Sequence, residues 1–278
     1  MPRLSLRLRK AAIAVAAFSF GAFNAAGAHA AGDAETAALH ADHHHWSFQG
    51  VFGTFDKASL QRGFKVYREI CSGCHGLEHM AYRNLGQKGG PFYDPEYPNP
   101  NDNPVVKTIA SEYSITDGPD EYGDPFDRPG KPSDAFVHPF PNENAARAAN
   151  GGAYPVNLSL ITKARHGGAD YVRSLLLGYR DDVPEGFDVP IGKYYNPWFE
   201  GRLISMPPQL YEGIVSYDDG SAETPEQYAE DIAHFLMWAA EPKMEVRKKM
   251  GFMVIGYLFV FGGLTYWSYR KVWADVDH

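Results

Sequence analysis

Apolar residues recur at helical spacing along two well-bounded stretches. Leu60, Phe64, Tyr67 and Ile70 step by three and four, which predicts an amphipathic helix over residues 57–70 with Asp56 as its N-cap. Tyr228, Ile232, Phe235, Leu236 and Ala239 form a second stripe. It is introduced by Thr224-Pro225-Glu226-Gln227, an N-cap, a first-turn proline and a capping-box partner, and it is closed by Pro242. Shorter helices are expected around residues 105–113, 142–149, 158–164 and 170–177. Residues 251–269 follow no stripe. They carry no charge, span about 28 Å as a helix, and are bracketed by Arg247, Lys248 and Lys249 before and Arg270 and Lys271 after. With Tyr266, Trp267, Tyr269 and Trp273 as an interfacial belt, this predicts a single transmembrane anchor.

Between these elements the periodicity disappears. Residues 88–155 and 180–208 are rich in proline, glycine, asparagine and aspartate, which punctuate turns and exclude long regular elements. Tyr93, Tyr97, Tyr113, Tyr122, Phe126, Phe136 and Phe140 give the first stretch apolar surface to bury, so it is expected to fold as a long loop against the domain. At the N-terminus Arg3, Arg7, Arg9 and Lys10, an uncharged run at residues 11–23 and Ala28-His29-Ala30 together read as a secretory leader ending near residue 30. Residues 31–45 are small, polar and histidine-rich and are expected to be mobile; His43, His44 and His45 read as an exposed tract rather than a metal site. The expected organisation is a leader at 1–30, an exported domain at 31–242, and an anchor with a short cytoplasmic tail at 243–278. The basic residues preceding the span outnumber those following it, but a long translocated domain largely ignores that bias.

Removing a leader with four basic residues moves the formal charge from −8 to −12. An acidic surface of this kind does not point to nucleic acid and suits a basic partner. Asp117, Asp120, Glu121, Asp124 and Asp127 form one candidate docking cluster, and Asp218, Asp219, Glu223 and Glu226 another. Export usually turns cysteines into disulfides, yet the chain has two cysteines, both in Cys71-Ser72-Gly73-Cys74-His75.

That motif is the signature of covalent haem attachment. Cys71 and Cys74 supply thioethers to the haem vinyl groups and His75 an axial nitrogen to iron. A thioredoxin-like pair would require a βαβ context, and a zinc site a second ligand pair. For the sixth position Met80 is too near His75, Met237 lies in a predicted amphipathic helix, and Met244, Met250 and Met253 belong to the anchor region. Met206, before Pro207 and Pro208, is favoured, with His166 as its rival. Arg165 is a candidate partner for a haem propionate. An open iron site would suit a peroxidase or a sensor instead.

The set as a whole resembles the cytochrome c1 family, the haem subunits of cytochrome bc1 complexes. The resemblance runs through Arg62-Gly63-Phe64-Lys65-Val66-Tyr67, the haem motif, Ala81-Tyr82-Arg83, Arg128-Pro129-Gly130-Lys131 and Arg165-His166-Gly167-Gly168. It continues through Met206-Pro207-Pro208 and Trp238-Ala239-Ala240-Glu241-Pro242 to the span. It implies a mainly α, cytochrome c-like haem domain with long loop insertions and one C-terminal transmembrane helix. It implies one covalent haem c with His75 and Met206 as axial ligands, Arg165 near a propionate and Tyr171 lining the pocket. The implied activity is one-electron transfer from a Rieske iron–sulfur protein to a soluble or membrane-tethered cytochrome c. The implied setting is a ubiquinol–cytochrome c reductase with cytochrome b, in a dimeric complex of the cell membrane with the haem domain periplasmic. Some bacterial relatives brace the methionine region with a disulfide; here no cysteine is left for one, so packing must hold it.

Overall fold

Asp56 accepts a hydrogen bond from the Ser59 amide and starts helix α1, Lys57–Glu69, where the periodicity places it. In this computed structural model residues 38–275 are described, so the leader read at 1–30 lies outside them. The elements that follow are α2 (Pro104–Ser111), β1 (Ser114–Asp117), β2 (Phe126–Pro129), α3 (Glu143–Ala149), α4 (Ile161–Ala164) and α5 (Ala169–Leu177). Then come β3 (Tyr194–Tyr195), β4 (Leu203–Ile204), α6 (Pro225–Ala240) and α7 (Met244–Val272). The architecture is mainly helical, with two small antiparallel ribbons, β1–β2 and β3–β4, set into the loops.

The centre of the domain is the crossing of α1 and α6. The predicted stripes meet there: Leu60, Phe64 and Tyr67 pack with Ile232, Phe235 and Leu236, all buried. Gly63 permits the approach, since a Cβ at that position would stand 2.0 Å from the Asp231 carbonyl oxygen. Beside the crossing Arg62 grips the fully buried Asp231 carboxylate with Nε and Nη2, both at 2.9 Å, and Tyr217 and Gln227 also donate to it. Thr224 caps α6 through the Gln227 amide, but the capping box is only half formed because the Gln227 side chain is spent on Asp231.

Three expectations are corrected. The helix predicted over residues 158–164 starts only at Ile161, because the Leu158 amide donates to the Gly76 carbonyl and the Ser159 amide to Asn157 Oδ1. The long loop is not uniformly irregular: β1 and β2 form an exposed ribbon that leaves Tyr122 81% exposed and Phe126 44%, although Phe136 is buried as expected. The histidine-rich tract is docked rather than mobile from residue 39 onward. The Leu39 amide donates to the Pro197 carbonyl, the Asp42 amide to Ser174 Oγ and the His44 amide to Asp170, while His44 also approaches Glu230 at 3.5 Å. Backbone donors in this tract meet fixed acceptors on α5 and at Pro197, which composition alone does not reveal.

Helix α7 is 29 residues long, with a mean hydropathy of 1.5 over its apolar window, none of which is buried in the protein. It is long and apolar enough to cross a membrane.

Candidate functional site

The haem motif begins one residue after α1 ends. Cys71–Gly73 form a single 3₁₀ turn, and the amides of Cys74 and His75 both donate to the Cys71 carbonyl. The turn gathers the two sulfurs and the imidazole at the helix terminus, and the buried Tyr67 holds its end by donating to the His75 carbonyl at 3.0 Å. Cys71 and Cys74 are not paired with each other in a disulfide. Burial, and then the neighbouring Cys74, pushes the Cys71 thiol up to about 12, the opposite of what a redox-active pair of the thioredoxin kind requires.

His75 is oriented by a group that sequence reasoning missed. Its Nδ1 lies 2.7 Å from the Val156 carbonyl oxygen, which only accepts, so Nδ1 carries the proton and Nε2 keeps its lone pair. Burial holds the imidazole below its ordinary range, opposed by the Val156 bond, and so favours the neutral ring that ligates metal. A backbone carbonyl as partner has no signature in the sequence. The contact is secured by the Leu158 amide on the Gly76 carbonyl and the His79 amide on Ser159 Oγ, which run residues 156–159 alongside the motif.

The other predicted residues form a second group. Arg165 is the C-cap of α4 and is exposed, and its charge acts on the Tyr171 phenol at the start of α5. Burial raises the Tyr171 phenol, with Arg165 pulling the other way. Met206 follows β4 and is half-buried; its carbonyl accepts from the hydroxyl of the half-buried Tyr179 at 3.0 Å, a second contact absent from sequence reasoning. His166, the rival sixth ligand, stands exposed at the turn before α5. Residues 156–165 run continuously from the His75 partner to Arg165 and so join the two groups.

These residues suit a haem. His75 presents a free Nε2, the cysteines stand two residues apart, and on the joining segment Val156 and Leu160 are 43% and 45% exposed, apolar surface that a flat macrocycle would cover. Asn157 Nδ2 is buried there without a protein partner. Among the described residues no group of three or more His, Cys, Asp or Glu side chains is placed to hold a metal ion by itself.

The two acidic clusters fare differently. Asp219 and Asp218 pair with Arg62 and Lys65, and Glu223 accepts from Ser216 and the Tyr217 amide, so three carboxylates of the second cluster are partnered although Asp218 stays at the surface. In the first, Arg128 pairs with Asp117 and ties the ribbon to Asp134, while Glu121 and Asp124 at the tip remain exposed. A groove of about 730 Å³ lies between Cys74, β1, Phe136, His138 and Glu143 on the same side of the molecule.

The sequence model of the Cytochrome C1 family matches residues 46–276. The chain is 50% identical over 248 residues to a cytochrome b/c1 of Bradyrhizobium diazoefficiens, covering 83% of this chain and 35% of that longer protein. It is 44% identical to the mitochondrial cytochrome c1 haem protein of Saccharomyces cerevisiae, covering 86% of this chain and 74% of the yeast one. With cytochrome c1 of Rhodospirillum rubrum the identity is 42%, over 84% and 87% of the respective chains. A motif-bearing turn at the end of α1, a histidine set by a backbone carbonyl and a match running through the C-terminal helix agree: the chain belongs to the cytochrome c1 family.

Proposed function

We propose that this chain is the haem-bearing electron carrier of a ubiquinol–cytochrome c reductase, with no catalysis of its own. The observation that carries the reading is the 2.7 Å contact of His75 Nδ1 with the Val156 carbonyl, which turns a neutral imidazole nitrogen outward beside two cysteines. A haem bound there supplies a reversible one-electron couple. Cys71 and Cys74 would tether it covalently through thioethers, and His75 and Met206 would ligate its iron. Arg165 offers a cation to a propionate, and Tyr171 walls the pocket. Tyr179 steadies the Met206 segment, and the buried aromatic core backs the motif through Tyr67.

The electron arrives from a Rieske protein and leaves to a soluble or membrane-tethered cytochrome c, inside a dimeric complex with cytochrome b. The name cytochrome b/c1 carried by the Bradyrhizobium relative supports a shared assembly. Helix α7 holds the chain in the cell membrane with the haem domain periplasmic. The exposed tip of the acidic ribbon, rather than the paired second cluster, steers a basic acceptor.

Purification in mild detergent with subunit identification tests the reading: cytochrome b and a Rieske protein are expected with the chain. Recovery of the chain alone, or with a high-spin haem spectrum that responds to carbon monoxide, would overturn it.

A further inference from the structure

Between the docked N-terminal tract and α1 the chain makes a narrow loop whose apolar tip faces away from the core. Trp46 and Phe48 at its base are buried, but Val51 is 63% exposed and Phe52 is 81% exposed. The loop is tightly built. The Gln49 amide donates to the Trp46 carbonyl and the Thr54 amide to the Ser47 carbonyl, both at 3.1 Å. Gly50 has φ +70°, and a Cβ on Gly53 would lie 2.0 Å from the Gln49 carbonyl oxygen, so both positions require glycine.

Helix α7 holds this loop in register with itself. Lys248 Nζ donates to the Phe48 carbonyl at 2.7 Å and to the Gly53 carbonyl at 2.9 Å, one from each side of the tip. Glu245 Oε1 accepts from the Phe55 amide at 2.8 Å. One turn beyond Lys248, on the same face and about 6 Å further along the axis, Phe252 stacks on Phe52 with centroids 5.2 Å apart and rings inclined by 7°. Phe252 is already inside the uncharged stretch 251–269. The tip therefore stands level with the first apolar turn of the helix, below the basic ring of Lys243, Arg247 and Lys249 that suits headgroup phosphates.

We propose that residues 50–53 are a second membrane contact of this chain, with Val51 and Phe52 among the acyl chains where α7 enters the bilayer. The occupant is lipid because the tip continues a lipid-facing helix surface and is matched to its depth by Lys248. This rests on the reading of α7 as a membrane span. The loop fixes the rotation of the haem domain about α7, which a single helix does not do.

The test reconstitutes the intact complex in phosphatidylcholine vesicles containing a phospholipid with a diazirine in its acyl chain. After irradiation, lipid adducts are mapped by mass spectrometry. Adducts on Val51 or Phe52 as well as within residues 251–269 are expected. The variant carrying Val51→Ser and Phe52→Ser should lose the loop adducts and keep those on the helix, with an unchanged haem spectrum. Adducts on the helix but none on the loop overturn this inference alone. Absence of adducts from both overturns the reading of the anchor and this inference with it.

Discussion

His234 lies 4% exposed on α6, enclosed by the rings of Trp46, Phe48 and Phe55, and its Nε2 accepts the Asp56 amide at 3.2 Å. Burial pushes it down to about 4, with the Asp56 carboxylate opposing and Arg62 assisting. The native state thus holds the neutral ring, while an unfolded chain takes up a proton near 6.5. Stability from this residue is complete above about pH 6.5 and is lost as pH falls toward 4, with roughly 2 kcal/mol gone by pH 5. Thermal unfolding at pH 7 and pH 5 checks this: His234→Gln should be less stable than the parent at pH 7, with the gap narrowing at pH 5. Met206 gives a second prediction at this scale. Met206→Leu should leave the reduced protein able to bind carbon monoxide and lower its midpoint potential by ~0.2 V or more, within the ~0.8 V range that axial ligands span. Tyr179→Phe removes the bond to the Met206 carbonyl and should weaken the near-infrared methionine–ferric iron band while leaving the Cys71, Cys74 and His75 attachment intact.

At the scale of elements, the α1–α6 crossing is the least forgiving part of the domain. Gly63→Ala places a methyl against the Asp231 backbone and should cost ~3 kcal/mol or more, read as a lowered denaturation midpoint. Arg62→Met strands a fully buried carboxylate, with an expected loss of ~4 kcal/mol, whereas a double replacement that also removes the Asp231 charge should recover much of it. Both helices were legible because burial on one face writes a 3.6-residue period into the chain. Helix α4 was overestimated because the Leu158 and Ser159 amides are committed to Gly76 and Asn157, neither of which leaves a periodic trace. The β1–β2 ribbon was missed since its strands are short and mostly exposed, and alternation carries no signal where neither face is buried.

Across the whole molecule, the first turns of α7 belong to the haem domain as much as to the anchor. Met244 is 2% exposed, Glu245 and Lys248 grip residues 48–55, and Glu241 pairs with both Lys163 and Arg247. A chain ending after Met250 should remain a folded, soluble haem protein. One ending after Glu241 loses the buried Met244 and both grips, and should be ~3 kcal/mol less stable in thermal unfolding. Charge is also a property of this scale. Electron transfer to a basic acceptor should slow with added salt, and neutralising Glu121 and Asp124 should reduce the rate and its salt dependence more than the same changes at Asp218 and Asp219.

Linear order carries the attachment signature and the apolar stretch. Two cysteines and a histidine within five residues match a haem-attachment motif, and nineteen uncharged residues between basic clusters are long enough to cross a membrane, because both patterns depend on neighbours in sequence. Folding settles what depends on neighbours in space. It chooses Val156 for His75, Tyr179 for Met206, Asp170 for the histidine tract and Arg62 for Asp231 and Asp219. Those choices are made by hydrogen-bond donors and acceptors left over when the helices pack, and such remainders have no pattern along the chain.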